Sequence, residues 1–214
     1  MVGIFIPVVE GARILLEIAW SRLYTRARGP AEKLVYSDLV VSHVNDRNPP
    51  SKIMIVAHPD DESLFGGEAL VSAKGWMVVC ATNASNPTRR REFINAMKSL
   101  GASYVMLNHA DHLCSGNFDP ALDQALARLL NDRPYELIVT HGKRGEYGHP
   151  QHRALHEIVS RIAPRKLIRV FATNWWAPPR VSAGKRQLLS FYSSQPSICR
   201  YRFMAERESL RSLR

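Results

Sequence analysis

The stretch Ile-Met-Ile-Val-Ala-His-Pro-Asp-Asp-Glu at residues 53–62 joins a short apolar run to a group of ionisable side chains. The run is rich in aliphatic and β-branched residues and lies between prolines, which predicts a buried strand. Burying an imidazole and three carboxylates is unfavourable unless a partner offsets their charge, and a divalent cation is a common partner. Acidic residues at a helix N-terminus would explain the carboxylates but not the histidine.

A second polar group follows another predicted strand, the apolar run at 137–140. A glycine-rich loop leads from this run to Pro150, where a helical pattern begins. His149 and His152 therefore flank the first turn of a helix that begins near the end of a strand. Because parallel strands end at the same edge of a sheet, we expect the two polar groups to meet there. Their histidines and aspartates are suitable zinc ligands, with a carboxylate left for proton transfer.

Apolar runs and helical patterns alternate along the chain. The alternation predicts an α/β fold, a Rossmann-like three-layer structure with a mostly parallel sheet. No glycine-rich dinucleotide motif follows the first strand, so we do not expect NAD binding. The predicted strands are 53–57, 76–82, 103–107, 137–140 and 167–172, and the predicted helices are 63–74, 88–100, 119–131 and 151–163.

These motifs resemble those of the zinc-dependent N-acetylglucosaminyl de-N-acetylases, which include the enzyme acting on N-acetylglucosaminyl-phosphatidylinositol and the mycothiol and bacillithiol deacetylases. The similar region runs from Lys52 to Gln195. A-H-P-D-D-E matches the first family motif completely, and Y-G-H-P-Q-H at 147–152 matches Y-G-H-P-D-H except that Gln151 replaces the usual aspartate. A third similarity is the R-x-x-E pattern that begins at Arg89.

The resemblance implies a zinc ion held by three side chains, His58, Asp61 and His152, with a position open for water. Iron can also occupy such a site. His156 follows His152 at the i+4 spacing of helical zinc ligands, but no glutamate follows His152 as it would in a metalloprotease. We expect His156 to lie behind the ligands or on a solvated helix face. Glu62 is expected to support the site and not to bind metal.

The resemblance also implies roles in catalysis. Asp60 would be the general base for the attacking water, and His149 would stabilise the oxyanion or protonate the leaving amine. Tyr147 would polarise the amide carbonyl. Arg89 and Asp111 would contact the sugar or its substituent.

The implied function is that of a zinc-dependent N-deacetylase, a hydrolase of linear amides. It would remove the acetyl group from an N-acetylglucosamine-type conjugate, giving acetate and a free amine. The substrate would be a small-molecule or lipid-linked amino sugar. One alternative is a non-catalytic or nucleic-acid-binding protein that uses the same fold and a basic tail, and another is a metal hydrolase of a different acylated amine. Intact Asp60 and His149 favour an enzyme.

We divide the chain into an amphipathic N-terminal helix with a connector (1–50), a deacetylase domain (51–199) and a basic C-terminal tail (200–214). The helix, between Val8 and Leu23, carries too many charges to span a bilayer and has no signal-peptide pattern. It packs on the sheet or lies at a membrane surface. The net charge is +10, and residues 161–214 hold that whole excess, with 12 Lys/Arg against 2 Asp/Glu. We expect a cytoplasmic protein, with peripheral contact at the inner membrane face as an alternative.

Overall fold

A mixed sheet forms the centre of the part of the chain that the computed structural model describes, residues 41–112, 115–116 and 118–213. The predicted amphipathic helix between Val8 and Leu23 lies outside these described residues. The seven strands are β1 (Val41–His43), β2 (Lys52–Val56), β3 (Trp76–Thr82), β4 (Ser103–His109), β5 (Leu137–Thr140), β6 (Ile168–Thr173) and β7 (Glu208–Ser212). Their order is β1-β4-β3-β2-β5-β6-β7.

Helices cover both sides of the sheet, so the prediction of a Rossmann-like α/β fold is confirmed. The four long predicted helices and five predicted strands all form, within a few residues of the expected bounds. None of the helices in the described ranges is long and apolar enough to cross a membrane. The helices are α1 (Asp61–Ser72), α2 (Pro87–Leu100), α3 (Ala121–Asn131), α4 (Gly145–Gly148), α5 (Pro150–Ile162), α6 (Ala183–Ser190), α7 (Ser197–Arg200) and α8 (Arg202–Ala205).

The central strands are buried on both faces, which is why their sequences are continuously apolar. Successive side chains of a strand point to opposite faces. In β2, Met54 and Val56 pack with Leu64 of α1 on one face, whereas Ile53 and Ile55 fill the other. This burial fixes β2 rigidly in the middle of the sheet.

The order of the parallel strands reverses beside β2. From β2 the chain proceeds outwards to β3 and β4, and then returns to the other side of β2 to form β5 and β6. In open α/β sheets, the crevice at such a reversal, beyond the carboxyl ends of the strands, is where ligands bind. Both polar groups found in the sequence follow these two strand ends, those of β2 and β5.

The two outermost strands lie in segments that the sequence predicts to be outside the deacetylase domain. β1 belongs to the predicted connector and pairs antiparallel with β4. β7 belongs to the predicted basic tail and pairs antiparallel with β6 over five residues. The residues from 200 onwards also form α8. In the structure these last residues complete the sheet and do not form a free tail.

Candidate metal centre and active site

The ends of β2 and β5 are neighbours, with Met54 opposite Val139 in the parallel pairing. Just beyond them, the backbone N–H of Ala57 donates a 3.0 Å hydrogen bond to Nε2 of His141. The two polar groups predicted to meet at this edge of the sheet therefore do meet, and a buried hydrogen bond joins the segments that carry them.

The three predicted metal ligands face one another. Nδ1 of His58, Oδ2 of Asp61 and Nε2 of His152 form a triangle whose three sides are each 3.2 Å. All three side chains are buried. A tetrahedral zinc ion with bonds of about 2.0–2.1 Å holds its ligand atoms about 3.3 Å apart. The triangle fits that ion, and three protein ligands are the number found in catalytic zinc sites.

The charges in this triangle favour a cation. Burial opposes the charged form of His58, but the carboxylates of Asp111 and Asp61 raise its pKa to about 10. Burial also opposes ionisation of Asp61, but His152 and His58 hold its pKa well below the ordinary value. The cluster thus attracts positive charge strongly, and a metal ion competes with protons for the same atoms.

A strained turn directs the adjacent aspartates into the site. Asp60 has φ 112° and ψ −29°, a conformation that residues other than glycine rarely adopt. The turn is held on both sides: the N–H of His58 donates to Oδ2 of Asp61 at 2.8 Å. The carbonyl of Asp60 accepts from the N–H groups of Ser63 and Leu64, which begins α1.

The orientation of His58 is set by Gln151, the residue that replaces the usual aspartate of the motif. Nε2 of His58 lies 3.0 Å from Oε1 of Gln151 and 3.4 Å from Oδ1 of Asp111. Because an amide oxygen only accepts, Nε2 carries the hydrogen and the Nδ1 lone pair faces the triangle. Gln151 also donates to Ala110 O at 2.8 Å and accepts from the N–H of His112 at 3.0 Å, which fixes the loop that carries Asp111.

Glu146, which has no role predicted from the sequence, orients His152. Its Oε2 lies 2.6 Å from Nδ1 of His152 and 2.8 Å from Nδ1 of His141. Its Oε1 accepts from the N–H of Gly142 at 2.7 Å. Burial opposes its charge, but His141 and His152 lower its pKa to about 2. A carboxylate on Nδ1 keeps the hydrogen there, so Nε2 of His152 is free to bind metal.

His141 also lies in the site without having been assigned a role from sequence. It could form a second metal group with Asp61 and His152. However, its Nε2 accepts the hydrogen bond from Ala57 and its Nδ1 donates to Glu146. Burial and the charge of His152 lower its pKa, so the ring stays neutral. Both ring nitrogens are therefore already used, which makes His141 a poorer ligand than His58. Its position directly after a strand, like that of His58, was the available sequence signal.

His156 does not join the ligand triangle. It is buried, and its Nδ1 donates to the carbonyl oxygen of His141 at 2.8 Å. It therefore lies behind the site and supports the backbone after β5, which agrees with the interpretation preferred from sequence.

The predicted base, Asp60, lies beside the triangle with its own support. The hydroxyl of Ser197 donates to Oδ2 of Asp60. Burial and the neighbouring charge of Asp61 raise the pKa of Asp60 to about 8. Nη2 of Arg89 donates to the carbonyl of Pro59 at 2.7 Å, so Arg89 braces the turn in addition to its predicted contact with substrate.

Glu62 is fully buried and supports the same turn, as expected from sequence. Its Oε2 accepts from the N–H of Asp60 at 3.1 Å. Its Oε1 accepts from the hydroxyls of Ser63 and Tyr192, both at 2.6 Å. Burial raises the pKa of this carboxyl, and the three donors oppose the rise. Glu62 therefore holds Asp60 in its strained conformation.

Glu92, the acid of the R-x-x-E pattern, positions the segment that carries Ser197. Its carboxylate accepts from the N–H and hydroxyl of Ser194 at 2.8 and 2.7 Å, and from the amide of Gln195 at 3.3 Å. One turn of α2 thus braces the Asp60 turn through Arg89 and the C-terminal segment through Glu92.

His149, the predicted acid, and Tyr147, predicted to polarise the carbonyl, are more exposed than the buried triangle. The ring of His149 lies 4.7 Å from that of His58 and 4.6 Å from that of His152. Burial and those two rings lower the pKa of His149 to about 4. Its Nδ1 accepts from the N–H of Gln151 at 3.3 Å, so the neutral ring carries its hydrogen on Nε2. Tyr147 is 37% exposed, and burial of the rest raises its pKa, so it keeps its hydroxyl hydrogen.

This geometry can be compared with known proteins. A family model described as PIG-L, GlcNAc-PI de-N-acetylase, matches residues 53–163, more than half of the chain. The chain belongs to the PIG-L family. The resemblance drawn from the motifs is therefore confirmed, and both motifs that carry the metal triangle lie inside the matched region.

Two relatives show how far the similarity extends. An uncharacterised protein of Acanthamoeba polyphaga mimivirus is 32% identical over 181 residues, covering 77% of this chain and 80% of that protein. The 1D-myo-inositol 2-acetamido-2-deoxy-alpha-D-glucopyranoside deacetylase of Corynebacterium urealyticum is 25% identical over 195 residues, covering 64% of this chain. The chain spans only 56% of that deacetylase.

Among solved structures, GalB of Pseudomonas putida, a 4-carboxy-2-hydroxymuconate hydratase, shares the fold with a TM-score of 0.53. It is 17% identical, and the match covers 72% of this chain and 82% of GalB. At this identity the likeness concerns the fold alone, and the site's own residues must decide the chemistry.

Proposed function

We propose that the chain is a metal-dependent amide hydrolase that removes the acetyl group from an N-acetylglucosamine-type conjugate, giving acetate and a free amine. The observation that carries this proposal is the buried triangle of His58, Asp61 and His152, with Asp60 beside it. Membership of the PIG-L family and the activity of the deacetylase relatives support it. The substrate class includes small-molecule and lipid-linked amino sugars.

His58, Asp61 and His152 would hold the metal ion, with zinc the best fit and iron a substitute. Such an ion supplies Lewis acidity, which polarises a carbonyl and makes water a better nucleophile at neutral pH. Gln151 and Glu146 orient the two histidines from behind, the arrangement that raises metal affinity and fixes ring tautomers.

Asp60 would take the proton from the attacking water. It is next to a metal ligand in sequence, yet its side chain is held by Ser197 instead of joining the triangle. Burial raises the proton affinity of this carboxylate, and a cation held beside it by Asp61 would favour the ionised form that a base needs. The strained turn and the hydrogen bond from Ser197 would keep this base in one orientation during turnover.

His149 and Tyr147 would act on the other side of the scissile amide. An amine leaves only after its nitrogen is protonated, so hydrolysis needs a donor opposite the base. His149, neutral with its hydrogen on Nε2, can donate a hydrogen bond to a developing oxyanion, and it would have to take up a second proton before it could protonate the nitrogen. Tyr147 keeps its hydroxyl hydrogen and can polarise the carbonyl. Arg89 and Asp111 would contact the sugar.

An acetate-release assay on the zinc-loaded full chain tests the proposal, with N-acetylglucosamine conjugates bearing inositol, lipid, nucleotide or glycan groups. Asp60→Asn keeps the size of the side chain but removes its basicity, so turnover should fall roughly 10²-fold or more while zinc stays bound. Asp46→Asn, at an exposed acid, is the matched control and should leave turnover unchanged. No acetate from any conjugate, or equal rates in both variants, would contradict the proposal.

The nucleic-acid-binding alternative uses the basic residues and not the buried site. The family match covers residues 53–163 and so coincides with the site, whereas the charge excess lies in 161–214. The metal-dependent hydrolase is therefore the better supported function.

A further inference from the structure

A group of aromatic side chains is exposed at the same edge of the sheet as the site. Trp176 is 96% exposed, Trp175 is 59% exposed and Phe203 is 44% exposed. Among the described residues, these three and Tyr147 are the large apolar side chains left in solvent. Singly exposed apolar residues are ordinary, but a cluster of aromatic ones marks an interaction surface.

The three aromatics belong to one surface made from two segments, 174–182 after β6 and 197–207 before β7. The backbone N–H of Asn174 donates to the carbonyl of Arg207 at 2.8 Å. The rings of Trp175 and Phe203 have centroids 5.1 Å apart, and the guanidinium of Arg207 lies 3.9 Å from the Phe203 ring. We call these two segments the aromatic–basic surface.

The charge of this surface is strongly positive. Its two segments contain four arginines and one acid. The acid, Glu206, is already paired with Arg202 at 2.7 Å. Arg180 and Arg200 are exposed. Indole and phenyl rings beside arginines are the side chains that lie at the boundary of an anionic bilayer, where rings enter the interface and cations meet lipid phosphates.

The surface is continuous with the opening of the site. Tyr201, two residues before Phe203, stacks on Tyr147 with centroids 3.9 Å apart and an interplanar angle of 13°. Tyr147 in turn lies 5.3 Å from the ring of His152. A bilayer bound to the aromatic–basic surface would therefore lie next to the opening through which substrate reaches the metal triangle.

We propose that the aromatic–basic surface docks the protein on an anionic lipid bilayer, with Trp175, Trp176 and Phe203 entering the interface. Lipid with an anionic headgroup would contact both the aromatic rings and the arginines of the surface, whereas a neutral glycan would leave Arg180 and Arg200 without a charged partner. This docking does not depend on the deacetylase activity, so it can be tested by binding alone.

The test is co-sedimentation of the full chain with vesicles of phosphatidylcholine alone or mixed equally with phosphatidylglycerol. Wild-type protein should bind the mixed vesicles better, and high salt should weaken that binding because it screens the arginines. Trp175→Ser with Trp176→Ser should lower partitioning about tenfold or more, since it removes apolar area from the interface. Trp175→Tyr with Trp176→Tyr should retain most of the binding.

Charge variants provide the matched comparison. Arg180→Gln with Arg200→Gln should weaken binding to mixed vesicles. The control, Arg91→Gln with Arg128→Gln, removes the same charge from exposed positions on α2 and α3 and should leave that binding unchanged. Equal loss in both charge pairs, or full binding by the double serine variant, would overturn the proposal. Dimers in sedimentation velocity that the double serine variant abolishes, without vesicle binding, would instead assign the surface to contact between copies.

Discussion

At the scale of single residues, the site depends on side chains that lie outside the triangle of His58, Asp61 and His152. Glu146 accepts from two histidines at once, and Gln151 accepts from the third ring. Such contacts fix which ring nitrogen carries the hydrogen, and therefore which one can bind metal. The unusual Gln151 performs this task as a neutral amide, with Asp111 adding a charge at 3.4 Å.

Replacement of Glu146 by glutamine tests this arrangement. We expect Glu146→Gln to weaken zinc binding by about 10- to 100-fold, the usual effect of losing a carboxylate behind a histidine ligand. The reason is that the neutral amide of the new glutamine accepts the hydrogen bond from Nδ1–H of His152 more weakly than the charged carboxylate does. Zinc affinity can be measured by competition with a chromophoric chelator. Glu136→Gln, an exposed position just before β5, should leave the affinity unchanged, and equal affinities in the two variants would contradict the role given to Glu146.

Ser197 provides a second test at this scale. Ser197→Ala removes the hydrogen bond to Asp60 without touching the metal triangle. We expect kcat to fall roughly tenfold, the effect of losing one hydrogen bond to a charged group, with KM and zinc content unchanged. Ser190→Ala, whose hydroxyl bonds only its own helix, is the control. If Ser197→Ala instead lowers zinc content or leaves kcat unaffected, Ser197 does not position the base.

The meeting of His58, Asp61 and His152 could be predicted from sequence because both motifs are local and each follows a strand. Glu146 could not, because it reaches the histidines through a backbone conformation with φ 50° that no pattern of residue types indicated. Ser197 could not either, since it meets Asp60 across 137 positions of the chain. Contacts between segments that are distant in sequence can be identified only once the three-dimensional structure is known.

At the scale of elements, a buried ion pair fastens the C-terminal segments to the helix that begins the site. Nζ of Lys185 on α6 donates to Oε2 of Glu208 on β7 at 2.6 Å, and to the carbonyl oxygens of Leu64 and Ala205. Gly67 on α1 permits this approach, since a Cβ there would lie 2.9 Å from Cγ of Lys185. The ammonium group of α6 thus joins α1, α8 and β7.

Removing the ammonium should destabilise the fold. In Lys185→Met the carboxylate of Glu208 loses its buried partner, which typically costs about 3–5 kcal/mol. The free energy of unfolding in urea measures the loss. Lys98→Met on the exposed face of α2 makes the same exchange in a solvated place and should change stability little. Equal unfolding midpoints for the two variants would show that the buried pair contributes no net stability.

The edge strands β1 and β7 could not be predicted from sequence. β1 has only three residues, and β7 carries polar residues in the region of highest positive charge, so neither shows a buried apolar run. Because β7 also carries Glu208, deleting residues 200–214 would damage the fold as well as the charge. Substitution of exposed arginines is therefore the better test of whether this charge attracts anions.

At the scale of the whole molecule, the sheet topology places the site. The apolar runs predicted the five parallel strands, but only the strand order shows that β2 and β5 are neighbours. That order brings the histidine and aspartates after β2 next to the histidines after β5. Of the positive charges in the last quarter of the chain, four arginines lie on the aromatic–basic surface at the same edge.

Metal binding to this folded arrangement should stabilise the molecule. A ligand at about 100 times its dissociation constant adds about 2.7 kcal/mol, which in a domain of this size raises Tm by roughly 5–10 °C. Thermal unfolding with and without zinc measures the shift. The same experiment on Asp61→Asn should give a much smaller shift, because a ligand carboxylate is lost. If zinc raised the Tm of Asp61→Asn as much as that of the wild-type protein, the stabilising ion would bind at a place other than Asp61.

A zinc titration of the purified full chain tests whether His58, Asp61 and His152 hold one catalytic metal ion. Wild-type protein and His43→Ala, at an exposed histidine of β1, should each bind one zinc ion with the same affinity. His152→Ala should lose affinity by roughly 10²-fold or more, since a ligand matters at least as much as the residues behind it. Binding of one zinc ion by His152→Ala with wild-type affinity would show that His152 is not a ligand and that the ion lies elsewhere.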